Sequence, residues 1–244
     1  MAKSILTDVR LFALGVDLTS ASNKVELSSE VEEKDVTNYA SGGYKEVLGG
    51  IASSTIQAEG QWEAGDATKV DDHSWSALGT VGPWTVVPTA ATVGSLAYFT
   101  NALRCDYGLG ASVGDVAPWS GKAAGSWPVA RGQIAHPPGT ARSSTGTGTG
   151  VQLGAVATGR RLYAALHVLS ASGTTPSITV RVESDDNSGF TTPTTQATFT
   201  AATAAGGQII RASGPITDNW WRVAWTISGT TPSFTFVAAL GIAP

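Results

Sequence analysis

From Gly150 to Ala243 the chain reads as seven apolar runs of strand length, and this spacing narrows the available folds more than any other feature. The runs are GVQLGAVA (150–157), RLYAALHVL (161–169), SITVRVES (177–184), TQATFTA (195–201), QIIRAS (208–213), WWRVAWTIS (220–228) and SFTFVAALGIA (233–243). Each is rich in β-branched or aromatic residues and is bounded by Gly, Pro, Ser, Thr or Asn. Seven such runs in roughly a hundred residues predict an antiparallel β-sandwich, jelly-roll-like, over 151–244.

Within this half one octapeptide occurs twice: SGTTPSIT at 172–179 returns as SGTTPSFT at 228–235. Each copy stands between two apolar runs. Gly and Pro supply a bend, and Ser and Thr bond the local backbone. The expectation is two hairpin connections. Neither copy has a charged, aromatic or amide side chain with which to grip a ligand, so scaffold accounts for them better than a ligand loop does.

The first half is mixed. RLFALGVDLT (10–19), VELSSEVEEKDVT (25–37) and IASSTIQAEGQWE (51–63) read as strand-forming, and NYASGGYKEVLGG (38–50) as a long loop with two Gly-Gly pairs. One helix is expected after Asp66 as N-cap, with Val70, Trp75 and Leu78 near helical spacing and Gly79 as its terminator. WTVVPT (84–89), SLAYFTNALRCDYGL (95–109) and GSWPVARGQIA (125–135) read as further strands. HPPGTARSSTGTGTG (136–150) has no apolar periodicity and reads as a linker. The expected organisation is therefore a β domain with one flanking helix at 1–135, a linker at 136–150 and a β-sandwich at 151–244.

Composition narrows function. Charged residues make up only 14% of the 244 residues, glycines number 29 and the net charge is −4. No basic cluster is present, which argues against a dedicated nucleic-acid binder. A weakly charged surface favours coverage by partners. The single cysteine, Cys105, excludes an internal disulfide framework and suits a reducing cytoplasm. Asp8 and Arg10 interrupt the N-terminal apolar stretch, and no run approaches the ~20 residues needed to span a bilayer.

No catalytic motif is present: GxSxG, Walker A, the dinucleotide fingerprint and HExxH are all missing. Asp71, Asp72 and His73 are consecutive on a helix and point in different directions, which suits a solvated face better than a metal site. Ser184–Gly189 (SDDNSG) begins like a calcium loop but lacks the terminal glutamate, leaving turn chemistry as the reading. Cys105, alone in an apolar strand, reads as core packing. No cofactor, metal or catalytic residue is expected.

In WWRVAW, period-two alternation puts Trp221, Val223 and Trp225 on a core face and Trp220 with Arg222 on the other. Trp220 and Arg222 are candidates for surface recognition of a glycan or a partner. In VELSSEVEEKDV the same alternation puts Glu26, Glu30 and Glu32 on one face. Such a face is ordinarily just solvated, but it also suits a pore wall past which DNA slides without sticking.

The segment KDVTNYASGGYKEVLGGIASSTIQAEGQWEAGD (34–66) resembles the tail tube, or major tail, proteins of long-tailed bacteriophages. The likeness rests on Asp35-Val36-Thr37-Asn38, the Gly42-Gly43 pair followed by Tyr44, Lys45 and Glu46, Gly50, and the alternating strand that ends at Gly60. Family members more often carry tryptophan where Tyr44 stands. The resemblance rests on these thirty or so residues, extends over 1–135 and is loose over 151–244. It implies a β-sandwich with a flanking helix, six copies to a ring, and stacked rings forming a hollow tube that conducts DNA. It further implies that Asn38, Gly42, Gly43, Tyr44, Lys45 and Glu46 act in assembly and that Glu26, Glu30 and Glu32 face the lumen. Partners would be the chain itself, a tape measure protein and a tail terminator, in a virion tail made in the host cytoplasm and never inserted in a membrane. Two rival readings stay open: a glycan- or host-binding tail-tip protein using its C-terminal sandwich, and a capsid decoration protein.

Overall fold

The computed structural model describes residues 5–244, and within them the fold is almost wholly antiparallel β with one short helix. The strands are β1 (Arg10–Ala13), β2 (Val16–Asp17), β3 (Ser22–Asp35), β4 (Val47–Gln61), β5 (Val81–Val87), β6 (Leu96–Leu109), β7 (Pro118–Gly125), β8 (Ala130–His136), β9 (Gly146–Thr147), β10 (Val151–Gln152), β11 (Arg161–Asp185), β12 (Thr194–Thr198), β13 (Gly206–Ser213) and β14 (Trp220–Ala243), with α1 (Val70–Ser76) between β4 and β5. They form one branched sheet whose main path runs β12-β11-β14-β8-β6-β5-β1-β2.

The repeated octapeptides are not hairpins. Each lies in the middle of a long strand, and the two strands pair with each other along nearly their whole length, from Arg161↔Ala243 to Asp185↔Trp220. The two copies face one another at Ser172↔Ser233, Thr174↔Thr230 and Ser177↔Ser228, with register shifts between these pairs. Here the two-stranded ribbon folds over. Trp225 and Phe236 stand on opposite sides of the second octapeptide, with ring centroids 5.5 Å apart. A straight strand would separate them by roughly 35 Å.

The fold-over explains why the same sequence appears twice. Gly173 and Gly229 adopt φ 114° and 118°, and Thr175 and Thr231 both adopt φ 48°, so each copy takes the same path. A Cβ on Gly173 would lie 2.7 Å from the Thr231 carbonyl oxygen, and one on Gly229 would lie 2.8 Å from that of Thr175. Each glycine makes room for the backbone of the other copy. The contact has local two-fold character, and identical geometry on both sides selects identical residues.

Folding the ribbon creates two layers. One contains β13, the first arm of β11, the last arm of β14 and β8; the other contains β12, the second arm of β11, the first arm of β14, β9 and β10. Leu162, Leu166, Val180, Val182, Trp221, Val223, Phe234 and Phe236 fill the space between them. The first layer is covered on its other side as well. Tyr163, Ala165, Val237 and Ala239 pack against Phe12, Val87, Phe99 and Ile134 of the N-terminal half. Burial on both faces is the reason RLYAALHVL and FVAALGIA read as continuous apolar runs rather than alternating ones.

The N-terminal half curls β3, β4, β7, β6, β5, β1 and β2 around a further core of Leu11, Leu18, Ile56, Ala58, Val70, Trp84 and Trp119. It is joined to the C-terminal half through β8, which pairs with both β6 and β14. The buried His167 on β11 accepts from the Gly15 amide at 3.3 Å and bonds Thr85 Oγ1 at 2.9 Å. The segment 136–150, expected as a linker, lies along β14: Arg142 exchanges backbone hydrogen bonds with Phe234, and β9 pairs with Ala224–Trp225.

Several local expectations need correction. Asp66 does not cap the helix. Its carboxylate accepts from the Thr68 amide at 2.8 Å in a separate turn, and α1 begins at Val70 after an extended Lys69. Of the expected apolar helix face only Val70 is buried, whereas Trp75 and Leu78 are exposed. Residues 47–50 belong to β4 rather than to the loop, and β7 was not anticipated. Cys105 is exposed: with Ala102 and Arg104 buried, alternation along β6 turns it to the outer face.

Gly173→Ala and Gly229→Ala should each lower stability by about 1–3 kcal/mol, the cost of holding a side chain at such φ angles. Equilibrium denaturation should give similar losses for both. A second prediction concerns pH. Burial pushes His73 and His136 down from 6.5 to about 4 and His167 to about 3. The unfolded chain binds protons at these three below about pH 6.5 while the folded chain stays neutral there. Their contribution is therefore complete above pH 6.5 and declines as pH falls toward 4. Thermal melts across pH 7 to 4 should show a falling Tm, and His167→Gln should reduce that slope.

Candidate assembly arm

The most distinctive surface is the β3–β4 hairpin. At its base Val25 and Leu27 of β3 pack on the N-terminal core, opposite the buried Ile56 and Ala58 of β4. Beyond the Ser28↔Thr55 pair, where β7 ends its pairing with β4 at Thr55↔Ala124, the two strands continue alone. From Ser28 to Ser53 every residue except Ser41 is exposed. The strands stay in register through Glu30↔Ser53 and Val31↔Ala52, then a bulge shifts the pairing to Glu33↔Gly49, Lys34↔Leu48 and Asp35↔Val47.

The tip is shaped by its own polar residues. Asp35 accepts from the Thr37 amide at 2.9 Å, and Thr37 Oγ1 accepts from the Glu46 amide at 2.9 Å. The hydrogen bonds from Thr37 hold the Asp35 carboxyl below its usual 3.8. Asn38 Oδ1 accepts from the Ala40 amide at 2.8 Å, and Ser41 Oγ accepts from the Asn38 amide at 3.0 Å. Gly42 and Gly43, at φ 63° and 87°, then reverse the chain. These bonds hold Tyr44, 79% exposed, and Tyr39 in solvent, while Lys45 pairs with Glu33 at 3.7 Å.

All six residues singled out by resemblance, Asn38, Gly42, Gly43, Tyr44, Lys45 and Glu46, are thus brought together at this tip. Sequence reasoning missed the apolar residues beside them. Val31, Val36, Val47, Leu48 and Ile51 are all exposed on the arm. The only signal in the sequence is the apolar run VL-GG-IA beside a polar loop; its exposure is set by where the supporting sheet ends.

Glu26, Glu30 and Glu32 lie along the β3 face turned away from the core, which also carries two lysines. Lys24 pairs with Glu26 at 3.0 Å and Glu59 at 3.3 Å, and Lys34 pairs with Glu32. Exposed pairs of this kind add little to stability, but they offset charge. The face continues across the sheet in two paired rows, Glu26–Gln57–Lys122–Asp106 and Lys24–Glu59–Ser120–Gly108. It is a mixed surface of carboxylates, amides, hydroxyls and lysines.

Trp220 and Arg222 sit far along the chain on β14. Trp221, Val223 and Trp225 are buried as alternation requires, and Trp220 is partly exposed. Arg222 is engaged within the protein: its Nε donates to the buried Glu183 at 2.8 Å, and its guanidinium lies 4.3 Å from the Phe190 ring centroid. Arg181 holds the other Glu183 oxygen at 2.7 Å. Asp185, in the calcium-loop-like stretch, accepts instead from the Asn187 and Thr192 amides. Among the described residues no group of three or more His, Cys, Asp or Glu is placed to hold a metal. Among the described residues no helix is long and apolar enough to cross a membrane.

Arg222→Ala should therefore act first on stability. Leaving Glu183 with one of its two arginines should cost on the order of 3 kcal/mol in chemical denaturation, whereas Trp220→Ala should cost well under half of that.

No protein-family model matches the chain, and no curated protein matches it. Among solved structures it is similar to a chain of the native gene transfer agent virion, at 18% identity and TM-score 0.41, covering 51% of this chain and 95% of that one. A chain from the tail of an empty gene transfer agent particle, refined with C6 symmetry, gives 18% identity and TM-score 0.41 over 50% of this chain and 92% of that one. The Dit protein of SPP1, a hub component of the adsorption apparatus of phages that infect Gram-positive bacteria, gives 10% identity and TM-score 0.35 over 98% and 100%.

Proposed function

We propose that this chain is a structural virion protein that polymerises as stacked six-membered rings into a phage tail tube. The single observation that carries the reading is the arm: twenty-six residues, Ser28–Ser53, nearly all exposed, with seven large apolar side chains and a tip ordered by its own hydrogen bonds. A monomer gains nothing from such an arm, because an unsupported two-stranded ribbon is marginal in water. A neighbouring copy supplies what is missing. Burying four of its apolar side chains at about 2 kcal/mol each is comparable with the cost of association, about 4–15 kcal/mol. The unpaired edge of β3 offers backbone hydrogen bonds in addition.

In this reading residues 1–135 form the tube and 151–244 an outer β-sandwich, with 136–150 between them. The face bearing Glu26, Glu30 and Glu32 lines the lumen through which DNA passes, and a tape measure protein and a terminator are the other contacts. Heterologous ring-to-ring contacts of this kind build open filaments. The protein is made in the host cytoplasm and resides in the tail.

The test is electron microscopy of the purified chain and of a Leu48→Ser/Ile51→Ser variant. The wild type should form hollow tubes with a regular ring repeat. The variant should stay unassembled with an unchanged Tm, because neither side chain packs on the core. A wild type that yields only monomers or trimers, or a variant that polymerises normally, rejects the reading.

A further inference from the structure

Among the described residues, four buried side-chain nitrogens have no hydrogen-bond partner, and all belong to one neighbourhood: His73 Nε2, Trp84 Nε1, and Arg104 Nη1 and Nη2. Arg104 is 1% exposed on β6, with its guanidinium 5.3 Å from the Trp84 ring centroid and 5.4 Å from that of Trp119. The two indoles attract the cation, but they leave its N–H edges unbonded apart from Nε, which donates to the Asp106 carbonyl at 3.2 Å. The end of the side chain occupies the place a side chain on Gly121 would take, since a Cβ there would lie 2.2 Å from Nη2. His73, on α1, is close enough for the Arg104 charge to oppose its protonation.

We propose that Arg104, Trp84 and His73 enclose an internal hydration site, in which ordered water accepts hydrogen bonds from Arg104 and Trp84 and donates one to His73 Nε2. The donor and acceptor chemistry selects water. Arg104 and Trp84 offer only N–H groups. In a neutral imidazole one ring nitrogen donates and the other presents a lone pair, and the buried, unpartnered His73 Nε2 is the acceptor when Nδ1 carries the proton. A ligand satisfying all three must both accept and donate. A halide would accept from the arginine and the indole but would meet the His73 lone pair with its own charge. Three polar partners from three elements is the usual coordination of a buried water. The site ties α1, which contributes only Val70, His73 and Ser74 to the interior, to β5 and β6.

A crystal structure of the full chain at a resolution that shows ordered water, paired with a bromide soak, tests the proposal. The expected result is a water peak within hydrogen-bond distance of both Trp84 Nε1 and His73 Nε2, without bromide anomalous signal. A His73→Phe variant should lose that peak. A bromide signal beside Arg104 would overturn the assignment in favour of an anion site. A direct Arg104–His73 bond with no density between the groups would overturn it too.

Discussion

The fold depends on the pairing of β11 with β14. These two strands, 25 and 24 residues long, hydrogen-bond to each other from end to end and then fold over together at the two glycine-threonine octapeptides. Every other element of the C-terminal half attaches to an edge of this ribbon, and β8 ties the N-terminal half to it. The constraint is steric. Two backbones turn the same corner in contact, and each can do so only where the other carries glycine. The apolar arms then form a sandwich because the corner leaves their inner faces opposed.

Buried polar groups register neighbouring elements against one another. His167 is satisfied by Gly15 and Thr85, both from the opposite half of the chain. His136 bonds the Phe236 carbonyl at 3.0 Å, receives Arg142 Nε at 3.2 Å and stacks on the Phe236 ring at 3.9 Å. Glu183 is buried between two arginines. Each group is costly to bury without its partner, so each disfavours a slipped register. Arg104 departs from this pattern: aromatic faces surround it in place of a counter-ion.

The arm follows the opposite rule. Its base obeys inside-out alternation, whereas from Ser28 to Ser53 every described residue but Ser41 is exposed. Its regularity comes from strand pairing, from the Asp35–Thr37 and Asn38–Ser41 turns, and from two left-handed glycines. Its apolar content serves no interior of this chain. The contrast between a well-formed hairpin and its lack of burial is what gives the arm functional meaning.

Much was legible from residues alone. Turn-bounded apolar runs determine an antiparallel β protein, alternation in WWRVAW determines which tryptophans are buried, and of the loop expected over 38–50 the part up to Glu46 is a reversal while 47–50 continue into β4. These are local properties, set by side-chain period and backbone preference. Contacts distant in sequence were not legible. Local chemistry assigned SGTTPS to hairpins, because nothing within eight residues reveals that its partner is the other copy. Arg222 read as a free surface group, since Glu183 and Phe190 reach it only through strand pairing and a loop. Val47–Ile51 read as loop and polar strand, because only the end of the supporting sheet leaves them exposed. The sequence by itself determined the antiparallel β class, most of the strand segments and which face of WWRVAW is apolar, because these follow from side-chain period. The tertiary structure decided which faces meet, because burial depends on which other segment arrives to cover them.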